Sequence, residues 1–395
     1  MLKIENPVKK IIAEIINFFV AIFFLPLYHK KNQFPQDVRK ILVLRVDHIG
    51  DVIMSTGIYR HLKKKFPESK VSVLTGIWGK EIIENNPYID EIIVHNCPWW
   101  KRIRGEEAGY LKWLIKELPE VIKKIKKKSF DIGIDLRGDF RHILFFLFLG
   151  RVKYKISYNR SGGEYLLERA VDYDISMHEI EKNFKLLEEI GIKNLPFPDK
   201  QPEIFLREEE KEKVESFLNK NKISEGTLKV VLHAGAGNKL RMWEEENFVH
   251  LIKKISEKYN TVFFLIGGSE EKKMYEEIIR KSSGSVYNLA EKLNIRDTAA
   301  LIEKSSIFIG NDSSMGHLAS CFDTPSIILF GPTNPERCKP YNKNLKVIYH
   351  KFPCSPCLQI KCKITKSKIN SECMSKIKVE EVMDIFAKMV KDITN

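Results

Sequence analysis

The stretch Ile41–Thr56 reads ILVLRVDHIGDVIMST and decides the fold. An apolar run is followed by a short polar loop with His48, Gly50 and Asp51, and then by an amphipathic helical pattern. The second half of the chain repeats this arrangement at Ile307–Ser320, which reads IFIGNDSSMGHLAS. A parallel strand delivers polar groups to its carboxyl end, and the amino end of the next helix can hold an anion. The two stretches therefore predict an α/β protein with two Rossmann-like domains facing across a cleft.

Strand and helix patterns alternate from Arg39 onward, which is typical of an α/β architecture. We predict strands at 41–46, 71–75, 91–95, 130–135, 153–158, 229–233, 261–266, 307–310 and 326–330. We predict helices at 52–66, 111–128, 245–258, 270–281 and 378–392. The polar, proline-containing stretch 193–203 has the composition of a linker. The predicted organisation is an amino-terminal segment at 1–36, a first domain at 37–200 and a second domain at 201–395, which includes a cysteine-rich loop at 354–373 and a C-terminal helix.

The composition is that of a globular protein with a strong basic excess. Hydrophobic residues make up 43% of the 395 residues, charged residues make up 30%, and the formal net charge is +14. Such a charge favours an anionic membrane surface or a phosphorylated ligand, a nucleic acid, or only a lysine-rich surface. No RNA- or DNA-binding motif accompanies the charge. We therefore expect no nucleic-acid partner.

The amino-terminal segment contains an apolar stretch at 11–27, IIAEIINFFVAIFFLPL, which only Glu14 and Asn17 interrupt. Lysines flank it on both sides, at Lys9, Lys10, Lys30 and Lys31. A full membrane span needs about 20 apolar residues, and this stretch is shorter. We expect a helix that lies in the membrane interface, with packing on the protein's own core or a true span as alternatives. The predicted location is cytoplasmic, peripheral on the inner face of the cytoplasmic membrane.

Asp51 is the leading candidate for a catalytic residue. It follows Gly50 at the carboxyl end of the first predicted strand, where α/β proteins bind ligands. A carboxylate there can accept a proton from a sugar hydroxyl as a general base. The alternative is a helix N-cap, a position that carboxylates favour for backbone reasons alone. Asp47, four residues earlier, could compete for the role of base.

The segment Asn311–Leu318, NDSSMGHL, is the candidate phosphate site of the second domain. Ser313 and Ser314, followed by Gly316, would let backbone N–H groups approach a pyrophosphate at the start of a helix. Asp312 would repel phosphate, so a ribose or sugar hydroxyl, or a cap, suits it better. His317 could reach a phosphate oxygen, although a single helical histidine is more often structural.

Two glycine-containing loops complete the predicted nucleotide site. HAGAGNKLRMW at His233–Trp243 places Lys239 and Arg241 after a strand, where their charge suits a phosphate. The third glycine of a dinucleotide fingerprint is replaced by Leu240. In FLIGGSEEK, Glu270 is placed to hydrogen-bond a ribose.

Four of the seven cysteines cluster near the carboxyl end of the chain, at Cys354, Cys357, Cys362 and Cys373. Their spacing is plausible for zinc or an iron–sulfur cluster, although no second CxxC completes the usual pattern. Reduced thiols, or a disulfide or redox pair, are the alternatives. Any bound metal would brace a long loop and would not take part in catalysis.

Taken in order and spacing, the motifs resemble those of glycosyltransferase family 9, the ADP-heptose:lipopolysaccharide heptosyltransferases. The matching segments are ILVLRVDHIGDVIMSTGIYRHLKKKFP, FDIGIDLRGDFRHILF, SYNRSGGEYLL, HEIEKNFKLLEEIGI, IGNDSSMGHLA and ILFGPTNPERCKPY. The resemblance covers nearly the whole chain after residue 38. It implies the GT-B fold, with the acceptor in the first domain and the nucleotide sugar in the second.

The resemblance also implies roles for particular residues. Asp51 matches the proposed base, and Arg241 matches a basic residue before the tryptophan of the second-domain loop. The ribose-binding acid matches Glu270 or Glu271, and we predict Glu270. The nucleotide-contacting segment matches Asp312, Ser313, Ser314, Met315, Gly316 and His317. Acceptor-side residues are expected at Gly50, Asp139 and Arg160. Many relatives read NDSGPMHL, so the glycine has moved in this chain, and the phosphate-contacting amides are not fixed by the match.

The implied reaction is inverting transfer of a heptose or related sugar, with no cofactor and no metal in catalysis. Its partners would be an ADP-sugar donor, a lipid-linked anionic glycan acceptor of the lipopolysaccharide core or another surface glycan, and the inner-membrane surface. Alternatives are a GT-B enzyme that uses another nucleotide sugar, and a non-catalytic protein that only binds nucleotide sugars.

Overall fold

The computed structural model describes residues 31–99, 110–357, 361–369 and 371–394, together with Glu14. The predicted apolar helix at 11–27 lies, apart from Glu14, outside the described residues. Among the helices that are described, none is long and apolar enough to cross a membrane. The chain divides into two compact units, Met1–Lys200 and Gln201–Asn395.

The first unit is built on a parallel sheet of six strands in the order β3-β2-β1-β4-β5-β6. The strands are β1 Lys40–Arg45, β2 Lys70–Thr75, β3 Glu91–Val94, β4 Ile132–Asp135, β5 Tyr154–Tyr158 and β6 Arg169–Val171. The strand order reverses between β1 and β4, so ligand-binding groups are expected at the carboxyl ends of these two strands.

The second unit repeats the same topology. Its six parallel strands run in the order β12-β11-β10-β7-β8-β9. They are β7 Leu228–His233, β8 Thr261–Leu265, β9 Ser285–Asn288, β10 Ile307–Asn311, β11 Ser326–Phe330 and β12 Leu345–Tyr349. Here the order reverses between β7 and β10. We call the carboxyl ends of the two strands at such a reversal a switch point, so the first unit has its switch point at β1 and β4 and the second at β7 and β10.

The helices lie between the strands, as the alternating pattern predicts. Those of the first unit are α1 Ile49–Ile53, α2 Ile58–Lys65, α3 Ile77–Ile83, α4 Tyr110–Lys112, α5 Leu118–Lys128, α6 Phe140–His142 and α7 Glu179–Leu187, with π-helical stretches at Trp113–Glu117 and Ile143–Phe148 and 3-10 turns at Glu164–Leu166, Glu188–Ile190 and Phe197–Lys200. Those of the second unit are α8 Glu208–Lys220, α9 Glu245–Lys258, α10 Lys272–Lys281, α11 Ile295–Glu303, α12 Ser314–Ala319, α13 Pro335–Cys338, α14 Glu372–Ser375 and α15 Val379–Thr394, with 3-10 turns at Lys239–Arg241 and Ser269–Glu271.

The central strands are buried on both faces, which explains their continuous apolar sequences. Every residue of β1 after Lys40 is buried, and the strand pairs with β2 on one side and β4 on the other. In the second unit β10 is buried along its whole length. In each sheet, a buried central strand therefore leads to the switch point.

The structure differs from the predicted elements in two respects. The helix predicted at 52–66 is two helices, α1 and α2, because the chain turns at 54–57 before Ile58. The strands β6, β9 and β12 were not predicted, since they lie near or at the sheet edges and are short or half exposed. The α/β class with two parallel sheets is confirmed.

Candidate active site

Asp51 lies where β1 ends, on the first-unit switch point. It is the third residue of α1, whose N-cap is His48, so Asp51 is not the cap. Its side chain is 26% exposed, which leaves the carboxylate accessible at the edge of the sheet. The N-cap alternative therefore does not explain why a carboxylate stands here.

Arg45 contacts Asp51 in two ways. Its Nε donates a hydrogen bond to the backbone oxygen of Asp51 at 3.0 Å, and its Nη2 lies 4.0 Å from Asp51 Oδ1. Burial raises the pKa of Asp51; the Arg45 guanidinium opposes that rise, and the Asp47 carboxylate adds to it. A carboxylate with a raised pKa is a stronger base than an ordinary aspartate.

Asp47 has the opposite character. It is fully buried, with Arg45 Nη1 3.1 Å from Oδ2 and Arg137 Nη1 2.5 Å from Oδ1. Burial alone would raise the pKa of Asp47, but the guanidinium groups of Arg137 and Arg45 outweigh it and lower the pKa. Asp47 is thus a buried counter-ion for two arginines, which makes it a poor competitor for the role of base.

The three predicted acceptor-side residues lie at the same edge of the first sheet. Gly50 is in α1, and Asp139 follows β4 as the N-cap of α6. The Asp139 carboxylate accepts hydrogen bonds from the backbone N, Nε and Nη2 of Arg141. Arg160 follows β5, and its guanidinium lies 4.9 Å over the ring of Tyr173.

A buried polar cluster supports the loop after β4, and no motif in the sequence points to it. The Asp135 carboxylate accepts three hydrogen bonds. The donors are Gly138 N at 2.8 Å, the Ser157 hydroxyl at 2.7 Å and His142 Nδ1 at 3.1 Å. Gly138 has a φ of 72°, which an L side chain rarely adopts. The cluster fixes the loop that carries Asp139.

In the second unit, Arg241 and Asp312 meet at the switch point between β7 and β10. Arg241 Nη1 lies 3.3 Å from Asp312 Oδ2, and the Thr333 hydroxyl donates a hydrogen bond to the same oxygen. Burial raises the pKa of Asp312, although Arg241 and Thr333 both favour its carboxylate. The buried Arg241 Nε makes no hydrogen bond within the described part of the chain.

The remaining predicted nucleotide-binding residues surround this pair. Ser313 is the N-cap of α12, and its hydroxyl lies 3.0 Å from Nδ1 of His233, whose pKa burial lowers to about 4. Ser314 and Met315 are half-buried in the first turn of α12, and His317 is buried in it. A Cβ on Gly316 would lie 2.9 Å from Ile328 Cδ1, so this glycine lets α12 pack on β11.

Glu270 and Glu271 occupy one 3-10 turn but differ in what they contact. Glu270 is exposed, whereas the Glu271 carboxylate accepts a hydrogen bond from Gly268 N at 2.8 Å. A Cβ on Gly235 would lie 2.5 Å from Glu271 Oε1, so the glycine permits this close approach. Glu271 is therefore the acid that touches the loop after β7.

The four clustered cysteines line one small cavity, together with Leu240 and Ser371. All four are free thiols. Within the described ranges no group of three or more His, Cys, Asp or Glu side chains is arranged to hold a metal ion, so the predicted zinc is unsupported. Ser371 Oγ donates to the Leu240 carbonyl at 2.7 Å, which ties the cysteine-rich loop to the turn that carries Arg241.

The comparison with protein families gives a direct match. Residues 119–368 match the model "Glycosyltransferase family 9 (heptosyltransferase)". The chain is also 24% identical over 328 residues to lipopolysaccharide heptosyltransferase 2 of Salmonella typhimurium, covering 79% of this chain and 90% of that protein.

Solved structures share the fold. A family 9 glycosyltransferase from Veillonella parvula is 22% identical with a TM-score of 0.75, and the match covers 91% of this chain and 100% of that one. The E. coli heptosyltransferase WaaC, solved with ADP, is 15% identical with a TM-score of 0.64, covering 89% of this chain and 99% of that one.

Two doubly wound units and these matches define a glycosyltransferase of the GT-B-like class. The chain belongs to glycosyltransferase family 9, the heptosyltransferase family, which confirms the resemblance seen in its motifs.

Proposed function

We propose that this protein is an inverting glycosyltransferase that moves a heptose, or a related sugar, from an ADP-sugar to the lipopolysaccharide core or another surface glycan. The observation that carries the proposal is Asp51, an accessible carboxylate with a raised pKa at the first-unit switch point. Such a group at the carboxyl end of a central strand is suited to general-base chemistry.

In the proposed reaction, Asp51 takes the proton from an acceptor hydroxyl while the oxygen of that hydroxyl attacks the anomeric carbon of the donor. The bond from that carbon to the diphosphate breaks, and its electron pair leaves with the phosphate oxygen. Attack opposite the leaving group inverts the anomeric configuration. Gly50, Asp139 and Arg160 would hold the acceptor within the domain at 37–200.

The domain at 201–395 would hold the donor. Arg241 supplies positive charge for the departing diphosphate, and its contact with Asp312 fixes its position. The amides of Ser313–Gly316, including those of Ser314 and Met315, and the His317 ring would assist. We propose that these groups of the chain neutralise the leaving group without a metal ion. The ribose would be bound by an acid of the Ser269–Glu271 turn, where Glu271 lies closer to the glycine loop than Glu270 does.

The names of the similar proteins support the choice of donor and acceptor. The Salmonella relative is named for lipopolysaccharide, and the E. coli structure contains ADP. A lipid-linked acceptor would place the enzyme at the inner face of the cytoplasmic membrane, where the basic surface and the segment at 1–36 would favour peripheral binding.

The test is a calorimetric titration of the full chain with ADP, UDP, GDP and CMP, followed by turnover of ADP-heptose with a heptose-accepting core glycan. We expect selective ADP binding and turnover that EDTA leaves unchanged. Preference for another nucleotide would reject the ADP-sugar donor and retain the fold. Binding of ADP without turnover of any ADP-sugar would favour the non-catalytic alternative.

A further inference from the structure

A row of large apolar side chains stands exposed on the helical stretch that follows β3. The exposed fractions are 54% for Tyr110, 67% for Leu111, 41% for Leu114 and 67% for Ile115. Lys112 and Lys116 are interspersed with them and are also exposed. We name these six residues the Tyr110–Lys116 surface. Exposed apolar groups concentrated in one place are typical of interaction sites.

The inward side of the same stretch is firmly packed, so the exposure belongs to an amphipathic helix and not to a loose end. Trp113 is 1% exposed, and its Nε1 donates a hydrogen bond to His95 Nε2 at 2.9 Å. Burial lowers the pKa of His95 to about 4, so the ring is neutral at physiological pH and can accept this bond. Trp113 thereby fixes which side of the helix points outward.

The Tyr110–Lys116 surface lies near the carboxyl ends of the strands of the first sheet, where Asp51 also lies. His95 directly follows β3, and its backbone N donates to the carbonyl of Thr75, the last residue of β2. Because the strands are parallel, this is the edge where β1 and β4 also end. The helix that Trp113 anchors therefore begins beside the proposed acceptor side.

Aromatic contacts connect this surface to the proposed acceptor side. The rings of Tyr110 and Trp113 are 5.9 Å apart, and those of Trp113 and Trp99 are 5.2 Å apart. The Arg141 guanidinium lies 4.1 Å over the Trp99 ring and also holds the Asp139 carboxylate.

We propose that the Tyr110–Lys116 surface binds an anionic lipid bilayer, with Leu111, Leu114 and Ile115 in the interface and Lys112 and Lys116 on lipid phosphates. Neither lysine forms an ion pair within the described part of the chain. Their charge selects an anionic surface over a neutral apolar partner.

The next carboxylates along the helix, Glu117 and Glu120, lie C-terminal to the apolar row. The inference rests on the proposed function, because it takes the acceptor to be lipid-linked. With the Tyr110–Lys116 surface on the membrane, a lipid-linked acceptor could reach Asp51 from the bilayer.

The first test is flotation of the full chain with vesicles of phosphatidylglycerol and phosphatidylethanolamine. We expect Leu111→Ser with Ile115→Ser to weaken partitioning by at least about tenfold, the scale for losing two inserted aliphatic side chains. The matched control is Ile369→Ser with Ile393→Ser, which removes exposed isoleucines of the second unit and should change little. Equal partitioning of both double variants would overturn the proposal.

A second pair of variants tests the charge. Lys112→Gln with Lys116→Gln should weaken binding by about fivefold for each lysine. Lys123→Gln with Lys127→Gln alters exposed lysines farther along the same helical region and should have a smaller effect. If the two pairs act equally, the binding is a general charge effect and the proposed surface is wrong.

Quenching by brominated lipids shows whether the bilayer contacts this surface or another part of the protein. A tryptophan introduced by Leu111→Trp should be quenched by brominated vesicles, whereas one introduced by Ile369→Trp should not. Vesicle binding without quenching at position 111 would place the contact elsewhere, for example at residues 11–27. A dimer that Leu111→Ser with Ile115→Ser dissociates would show that a second copy covers the surface, which would also reject the proposal.

Turnover with a lipid-free acceptor separates this inference from the proposed function. The Leu111 and Ile115 variants should retain wild-type turnover there, because neither side chain belongs to the proposed catalytic groups. If the wild-type protein shows no turnover but binds vesicles, and the Leu111 and Ile115 variants weaken that binding, only the proposed reaction is rejected. Normal turnover with vesicle binding insensitive to these variants would reject only the membrane surface.

Discussion

The two switch points have the same topology but hold different sets of charged groups. At the end of β1, two aspartates are surrounded by arginines of the protein itself, and Asp47 is held between Arg45 and Arg137. At the end of β10, Arg241 contacts a single aspartate, Asp312, and retains a buried Nε without a hydrogen bond among the described residues. The first arrangement suits control of a carboxylate's proton. The second suits reception of an anionic ligand.

The comparison is tested most strongly by Asp51→Asn. If Asp51 is the base, turnover should fall by about two to four orders of magnitude, the usual contribution of general-base catalysis. ADP affinity should not change, since the residue belongs to the other switch point. The measurement is ADP release from ADP-heptose with acceptor present. Asp37→Asn, an exposed aspartate beside Arg39, is the control. Near-normal turnover of Asp51→Asn would remove Asp51 from the mechanism.

Asp47→Asn should act on stability first. It leaves Arg45 and Arg137 without their buried counter-ion, and breaking a buried pair in this way costs about 3–5 kcal/mol. Urea unfolding followed by circular dichroism measures the change. Asp37→Asn again serves as the control and should leave the unfolding midpoint nearly unchanged, because its pair is exposed. A small effect at Asp47 would show that the two arginines do not depend on this carboxylate.

Arg241→Ala should weaken nucleotide binding. Loss of one charge-assisted hydrogen bond to a diphosphate costs about 1.5–3 kcal/mol, or roughly 10- to 100-fold in affinity. Calorimetric titration with ADP measures this loss. Arg280→Ala removes an exposed arginine paired with Glu277 in the same unit and should leave ADP affinity unchanged. If ADP binds equally to both variants, the second switch point does not receive the diphosphate through Arg241.

The ribose contact offers a finer distinction within the second unit. Glu271→Gln should lower ADP affinity by about fivefold, the scale of one hydrogen bond, because Glu271 touches the Gly235 loop. Glu270→Gln, its exposed neighbour, is the matched comparison and should have less effect. The same titration decides between them. A larger loss at Glu270 would support the assignment that the sequence favours.

Much of the fold can be predicted from the chain because buried parallel strands carry continuous apolar runs, as β1 and β10 do. The edge strand β12 escaped prediction because only Ile348 within it is buried. The break between α1 and α2 escaped because the apolar pattern continues through both helices.

The sequence predicts which residues of the candidate site follow a strand, but it does not predict most of the contacts that these residues make. The sequence points to Asp51 and Asp312 because each stands where a central strand ends. It does not reveal that Arg137 reaches Asp47 across the switch point, since the pairing depends on how β1 and β4 lie side by side. A charged Arg45 inside the apolar run ILVLR was the available signal.

The smallest expected effect concerns pH and the two aspartates of the first switch point. Because the folded-state pKa of Asp51 is raised, the folded protein binds that proton more tightly than the unfolded chain does. Its ionisation therefore removes stability as the pH rises from about 3.9, the ordinary carboxyl pKa, through the raised value. The lowered pKa of Asp47 gives the reverse: its contribution is present above the ordinary value and is lost as the pH falls through the lowered one.

Relative to wild type, Asp51→Asn should thus gain stability as the pH rises from 4 to 8. Asp47→Asn should be less stable than wild type at neutral pH, and its deficit should narrow as the pH falls. Urea unfolding from pH 8 down to about pH 2 measures both differences, because the Asp47→Asn deficit narrows only below the ordinary carboxyl pKa of about 3.9. Parallel pH profiles for the two variants would show that the pKa values of Asp47 and Asp51 are not shifted in opposite directions. The contrast with the second switch point would then lose its electrostatic basis.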